Sequence, residues 1–507
     1  MAAGEGRVLA AGSVRDVMAF RGRGTKLLDL GAATVIPGVV DAHLHLLGLG
    51  LALAEVDLTG ARSWDEAIAR VAARARAARP GEWIRGRGWD QNRWPDQTLP
   101  GEAPLSRAVA ANPAALTRVD GHAILLNAAA LRLAGITSAT PDPPGGRIAR
   151  RPDGSPTGLL LDNAMALATR VLPAPSPAET RAAALAAIRH VHRHGLVGVH
   201  EPWVTQATIA VYEELAGAGR FALRDYVMIA ADPAGLGPAL ARGPRSALYG
   251  GRLWLRAWKA FADGALGSRG AALLEPYDDD PGNAGLLLSD AAEIRRLAAQ
   301  ALRLGFQLCV HAIGDRANRL VLDAYQAALA AAPAADHRFR IEHAQVLSPP
   351  DIPRFAALGV IPSMQTSHAA SDRPWAAARL GPARARGAYA WRALLDTGAV
   401  VPNGSDAPVE PVNPLLGFHA AITREEAAGG PAGGAGPARR MTREEALRSL
   451  TRWPAYAAFM EREAGSIAPG KYADFTVLDR DLMTVAPDEL LATNVVMTIL
   501  DGEIVYG

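Results

Sequence analysis

The chain has 507 residues, 49% of them hydrophobic and 21% charged, with a formal net charge of +2 and one cysteine, Cys309. That is ample material for a large buried core; it holds no basic block marking a nucleic-acid partner, and it rules out disulfides within the chain. With no charged-then-apolar leader and no apolar run of about 18 residues, a soluble cytoplasmic protein with no membrane partner is expected.

In chain order, GRVLAAGS and TKLLDLGAATVIPG read as short strands near the start. Apolar, β-branched runs then predict strands over 34–40, 195–200, 223–229, 253–261, 306–311, 339–343, 359–364 and 399–404. Longer Ala/Leu/Arg patterns predict helices over 177–194, 204–218, 291–304, 317–332, 349–358 and 383–397. Strand–helix alternation argues for a parallel α/β fold, and about eight strands favour a closed (β/α)8 TIM barrel over an open sheet. Three regions depart from the alternation. Residues 51–172 are rich in Trp, Pro and Gly and read as a long insertion after the first barrel strand, able to form a substrate lid. Residues 427–439 (AAGGPAGGAGPAR) read as a flexible loop. The last stretch, 465–507, reads as strands and turns that pair with the opening residues in a small composite β-sandwich domain. The expected units are 1–36, a barrel over 37–460, and 461–507.

The chemistry concentrates where strands end. VIPGVVDAHLHL places His43 and His45 at i and i+2, on one face of a strand, where two imidazoles can converge on an ion. Alone, an HxH is as well explained by two polar strand-end residues. QLCVHAIGDRA adds His311, FRIEHAQ adds His343, and AVVPNGSDAP adds Asp406, each where an apolar run stops. Four histidines and an aspartate at the strand ends of one barrel make coincidence a poor account. Imidazole and carboxylate suit zinc, and a catalytic site keeps a position open for water. Lys259 lies in RLWLRAWKAF, where burial would disfavour its ammonium form. A neutral amine there can add CO2 to give a carbamate able to bridge two metals; the competing reading is a lysine that snorkels to solvent or pairs with Asp263.

These blocks, in order with TRVDGHAILLNAAAL, GSPTGLLLDNA, KAFADGALGSRGAALLEPY, PSMQTSHAASD and GSIAPGKYADFTVLD, resemble the amidohydrolase superfamily across nearly the whole chain. Within it they are similar to the branch of N-substituted formamide deformylase and YtcJ-like proteins. The resemblance implies a metal-dependent hydrolase of a carbon–nitrogen bond of amide or formamide type, with one or two divalent metals, zinc foremost. It implies that His43, His45 and Asp406 hold one metal and His311 and His343 a second. Lys259, carboxylated, bridges them, and Asp406 is general base toward a metal-activated hydroxide. Members of the branch ordinarily carry further strands before GRVLAAGS, so the small β domain is expected to lack part of its first sheet.

In the same pattern Asp120 and His122 resemble a substrate-facing block, with His122 a candidate to hydrogen-bond the developing oxyanion and a loop-fixing role as its alternative. Asp263 and Arg269 are candidate anchors for substrate polar groups, and Gln365 and His368 candidate pocket residues. His200 and Glu201 read as outer partners of the site. The tryptophans Trp89, Trp94, Trp203 and Trp375 are candidates for an apolar pocket wall or for core. The expected partner is a small-molecule substrate, with a homodimer the ordinary assembly. Two alternatives stay open: a deaminase or cyclic amidase on a mononuclear site, and a non-catalytic regulatory or binding protein that keeps the fold.

Overall fold

The computed structural model describes residues 1–385, 387–425 and 439–507; the loop expected at 427–439 lies, but for Arg439, outside them. Among the described residues the centre is a curled parallel sheet of β1 (Val39–Asp41), β2 (Leu196–Val204), β3 (Arg224–Ala230), β4 (Leu253–Phe261), β5 (Gln307–Ala312), β6 (Arg340–His343) and β7 (Ile361–Ser363). Each strand pairs in parallel with the next in sequence, so sheet order follows chain order. Strands covered on both faces read as near-continuous apolar runs, and every residue of β3, β5, β6 and β7 is buried.

Helices connect the strands, and their ends are written locally. Pro177–Arg193 starts with a capping box in which Ser176 and Glu179 satisfy each other's backbone N–H, with proline in the first turn. Ala291–Leu304 is capped by Asp290 and stops at Gly305, whose φ of 77° is left-handed. This helix and strand β4 have the bounds that periodicity predicts. Helix Pro233–Arg242 was not expected: its Gly and Pro content reads as loop, but Asp232 accepts from Gly235 N–H and Pro233 occupies the first turn.

Two expected strands need correction. The run 34–40 is divided at Gly38 between two sheets: Thr34–Pro37 pairs with Phe475–Leu478, while β1 joins β2. A Cβ on Gly38 would lie 2.4 Å from Val197 Cγ2, so glycine permits the chain to pass from one sheet to the other. The run 399–404 forms no regular strand; only Met364–Asn403 makes a parallel bridge. Yet Met364 N–H donates to Pro402 O (3.0 Å), Gly404 N–H to Met364 O (3.0 Å) and Ala42 N–H to Asn403 O (3.1 Å). Residues 402–404 thus lie between β7 and the end of β1. The expected helix 383–397 is divided into Arg373–Ala385 and Trp391–Asp396, with Tyr389 at φ 54° between them.

The insertion is more ordered than its composition suggests. It carries a six-stranded mixed sheet in the order Val56–Asp57, Ile84–Trp89, Ala114–Arg118, Ala123–Leu126, Pro156–Asp162, Gly146–Arg150. Leu58, Ile84, Trp89, Leu116 and Leu125 form a core on one face, and Ile124, Leu126, Ile148 and Leu160 one on the other. The chain ends meet: Thr34–Pro37, Phe475–Leu478, Val495–Leu500 and Glu503–Tyr506 make one antiparallel sheet. The hairpin Ala2–Gly4/Arg7–Ala10 is bridged to it by Arg7 and Tyr472. Val8, Phe475, Val477 and Ile499 share a small core there. Among the described residues no helix is long and apolar enough to cross a membrane.

Candidate metal centre

The C-terminal ends of the parallel strands converge on a cavity of about 440 Å3. His43 and His45 follow β1, His311 lies on β5, His343 ends β6, and Asp406 follows the 402–404 segment. Ligand atoms of His43, His343 and Asp406, all buried, lie within 4.8 Å of one another. Asp406 Oδ1 is 3.5 Å from His43 Nε2 and 3.3 Å from His45 Nε2. The His311 ring lies 4.5 Å from that of His343, centroid to centroid. His43 Nε2 is a buried nitrogen with no hydrogen-bond partner, aimed into this group. An orphaned imidazole nitrogen facing a carboxylate and two further imidazoles is what a cation site of nitrogen and oxygen donors requires, so the residues present fit a divalent metal.

The backbone holds the group under strain. His343, Ala344 and Asp406 have φ of 76°, 44° and 57°, left-handed values that cost non-glycine residues energy and cluster at functional sites. Asp406 N–H donates to His43 O (2.7 Å) and His45 N–H to Ala407 O (2.9 Å). Asp41 accepts from His43 N–H and Ser405 N–H, both at 3.0 Å. A Cβ on Gly404 would meet His43 N at 2.5 Å, so the close approach of these segments needs glycine.

The sequence profile described as Amidohydrolase family matches residues 26–506. The chain belongs to the amidohydrolase family. It is 35% identical to "Putative amidohydrolase YtcJ" of Bacillus subtilis (strain 168), over 95% of this chain and 90% of that one. It is 30% identical to N-substituted formamide deformylase of Arthrobacter pascens, over 99% and 93% of the two chains. The crystal structure of an uncharacterized metal-dependent hydrolase from Pyrococcus horikoshii OT3 superposes with a TM-score of 0.75 at 26% identity, covering 96% of this chain and 94% of that one.

Around the centre of this amidohydrolase, burial governs the electrostatics. Burial pushes the His43 imidazole down to about 4, and pushes His311 and His343 well below the ordinary histidine range, so all three rings are neutral donors. Burial would raise Asp406, but the hydrogen bond from His45 and the neighbouring rings of His43 and His343 hold it well below the usual carboxylate range. Lys259, 1% exposed, is lowered by burial against the pull of Glu342 and Asp406, and its Nζ lies 4.5 Å from the centre of the Phe261 ring.

The other expected site residues fall into two groups. Asp120, His122 and His368 line the cavity. Asp120 accepts from Arg118 (2.6 Å) and from His122 N–H (3.1 Å), while His122 Nδ1 is 2.8 Å from Asp162 Oδ1. The His368 ring runs nearly parallel to His343, 6.2 Å away. Three candidates are turned elsewhere. The Asp263 carboxylate is consumed by the backbone N–H groups of Ala272, Ile313 and Gly314 (2.8–2.9 Å), so it fixes the loops after β4 and β5 rather than anchoring substrate. Arg269 pairs with Asp279 (2.9 Å) outside the cavity lining. Gln365 Oε1 lies 2.6 Å from His343 Nδ1, which makes it a support of the ring rather than a pocket residue. Of the tryptophans, Trp375 lines the cavity, whereas Trp89 and Trp94 are core of the insertion, their indole N–H bonded to Leu116 O and Ala61 O.

Sequence reasoning missed Arg118, Asp162 and Glu342. Arg118 is 1% exposed and pairs with both Asp90 and Asp120, three insertion residues that together line the cavity. Asp162 touches Gly264 and Gly270, where any Cβ would collide with its carboxylate. Those two glycines, beside the Lys259 block, were the available signal. Glu342 precedes a ligand candidate by one residue, and its inward side was not readable from a four-residue strand.

Proposed function

We propose that this chain hydrolyses the C–N bond of an N-acyl or N-formyl small molecule, using a metal centre built on His43, His45, His311, His343 and Asp406, with Lys259 as a carboxylated bridge between two ions. The observation that carries the reading is the convergence of His43, His343 and Asp406 around an unpartnered His43 Nε2, beside the cavity that His343 and Asp406 line. A divalent ion, zinc foremost, supplies Lewis acidity and a water acidified to near neutrality when bound. Asp406 Oδ1, held ionised, accepts the proton of the attacking water and returns it to the departing nitrogen. His122 is set by Asp162: burial lowers its pKa, but the hydrogen bond and charge of Asp162 outweigh this and raise it. With Nδ1 committed to Asp162, Nε2 is the atom left to donate to the developing oxyanion. The name of the Arthrobacter relative supports the formamide class.

The same reading takes the seven parallel strands and residues 402–404 as a closed (β/α)8 barrel. It takes 1–36 with 461–507 as one small domain, and the single buried Cys309 as fitting the cytoplasm. A mononuclear site, suited to a deaminase or cyclic amidase, is favoured by one feature: the tightest group joins His43, Asp406 and His343 across the two metal sets that the family pattern separates. Metal analysis with a screen of N-formyl, N-acyl and cyclic amides decides between these. The expected result is about two equivalents of metal and turnover of an N-formyl or N-acyl compound. One equivalent with turnover of cyclic amides supports the mononuclear enzyme, and no metal and no turnover reject hydrolysis.

A further inference from the structure

Beneath the metal centre the barrel interior holds a charged pair that the proposed chemistry does not use. Arg340 and Glu342, both on β6, are 0% exposed. Glu342 Oε2 is 2.6 Å from His43 Nδ1 and accepts from Arg340 Nη2 at 3.1 Å, while Arg340 Nε lies 2.7 Å from Oε1. The guanidinium is spent on fixed partners besides: Ala42 O (2.7 Å), Ser363 Oγ (2.8 Å) and His200 Nδ1 (2.9 Å). With an always-charged guanidinium at 2.7 and 3.1 Å, Glu342 stands in the core as a carboxylate.

An ionised carboxylate only accepts hydrogen bonds. A ring nitrogen 2.6 Å from one must therefore carry the proton, and in a neutral imidazole the other nitrogen then keeps its lone pair. For His43 that other nitrogen is Nε2, the buried atom without a partner. The counterpart at His343 is Gln365, an amide, which can present either oxygen or NH2 and so enforces nothing by charge. Leaving either member of the pair alone would strand an uncompensated charge in the core.

We propose that the Arg340–Glu342 pair is a positioning device that locks His43 in the Nδ1–H tautomer, leaving Nε2 a standing lone-pair donor toward the cavity. The metal affinity expected to follow rests on the reading of His43 as a ligand, whereas the tautomer itself does not. The test uses the full-length protein, 15N-labelled at its histidine rings and stripped of metal. Long-range 1H–15N correlation reads the His43 tautomer, with the His43 signals assigned by their loss in His43→Gln, and competition with a chromophoric chelator reads zinc affinity.

In the wild type, His43 is expected as Nδ1–H with an unprotonated Nε2. In Glu342→Gln the amide can turn its NH2 toward Nδ1, so a population of Nε2–H should appear and zinc affinity should fall by roughly 10–100-fold. Glu342→Asp keeps the charge and should retain the wild-type tautomer with partial recovery of affinity. A wild-type ring protonated at Nε2 overturns the proposal even if no variant folds. So does a folded Glu342→Gln protein with an unchanged tautomer and unchanged affinity. A wild type with the expected tautomer that takes up no zinc supports the positioning role and overturns the metal-centre reading instead, which keeps the two failures apart.

Discussion

Two buried arginine–carboxylate networks in this molecule use the same groups for different ends. At the site, Arg340 and Glu342 sit on one strand and end on a histidine ring. At the opposite end of the strands, Arg224 on β3 reaches out of the parallel sheet to Asp474 and Asp501, which adjoin strands of the terminal sheet. Its guanidinium lies 3.4 Å from the centre of the Tyr472 ring, and Asp501 N–H donates to Asp474 Oδ1 (2.9 Å). The first pairs an arginine and a carboxylate two residues apart and turns them on a ring 299 residues away; the second pairs an arginine and a carboxylate 250 apart and holds two layers together. Residue type therefore says little about purpose, and the neighbour at the end of the chain of contacts says much.

The comparison can be broken most severely at the site itself. Asp406→Asn is expected to lower kcat by about 10²–10⁴-fold, the share of a general base, with the thermal midpoint little changed. Steady-state kinetics and a melting curve check both, and an Asn variant with near wild-type turnover would remove Asp406 from the mechanism. Lys259→Ala should lose bound metal and at least on the order of 10²-fold in turnover, beyond the range of an outer-sphere partner. A short carboxylic acid added to the assay should restore part of both. Full metal content in that variant argues against a carbamate bridge.

The structural network should respond in the other currency. Arg224→Ala leaves the buried Asp474 carboxylate without its cation, whereas Asp501 keeps Arg252 (2.6 Å), and is expected to cost roughly 3–5 kcal/mol of stability, read from denaturant unfolding, while kcat per folded molecule stays near wild type. A large loss of kcat without loss of stability would erase the distinction drawn here.

The smallest effect sharpens the contrast where arginine is missing. Glu201 and Asp225, buried side by side on β2 and β3, have no cation paired with them among the described residues. Burial raises Glu201 to about 7 and Asp225 well above its ordinary value. Glu201 accepts from Leu47 N–H (2.9 Å) and Tyr212 hydroxyl (3.3 Å). A carboxyl whose pKa is raised on folding favours the native state fully below the unfolded value, near 4.5, and loses that contribution as pH climbs through the folded value. Between about pH 4.5 and 7 this pair removes stability as pH rises, so the unfolding midpoint of Glu201→Gln should gain on that of the wild type across that window. An identical slope in the variant would show that the pair is not proton-linked to folding.

Much of the scaffold was legible from local signals. Seven of the eight expected strand runs contribute to the parallel sheet, because strands buried on both faces are mostly apolar, with enclosed charges such as Arg340 and Glu342 as the exceptions, and helices between them must repeat every three to four residues. The polar residues that interrupt those runs at their ends, His43, His45, His311, His343 and Asp406, stand out for the same reason. The insertion hid its sheet: in the strand Ile84–Trp89 the buried positions between Arg85 and Arg87 and after them are Gly86 and Gly88, so its period of two was masked by residues that usually mark loops. Gln365, Asp263 and Arg269 were placed by proximity to motifs, and the fold turned each toward a nearer partner.

What sequence by itself determined was an inventory: strands of a parallel α/β fold, and imidazoles and one carboxylate waiting where they stop. Three-dimensional packing decided which nitrogen of His43 is left without a partner, which carboxylate serves His122, and whether an arginine glues layers or steadies a ring. Those choices depend on contacts across tens to hundreds of residues, where a shift of an ångström exchanges one hydrogen-bond partner for another, and no periodicity along the chain records them.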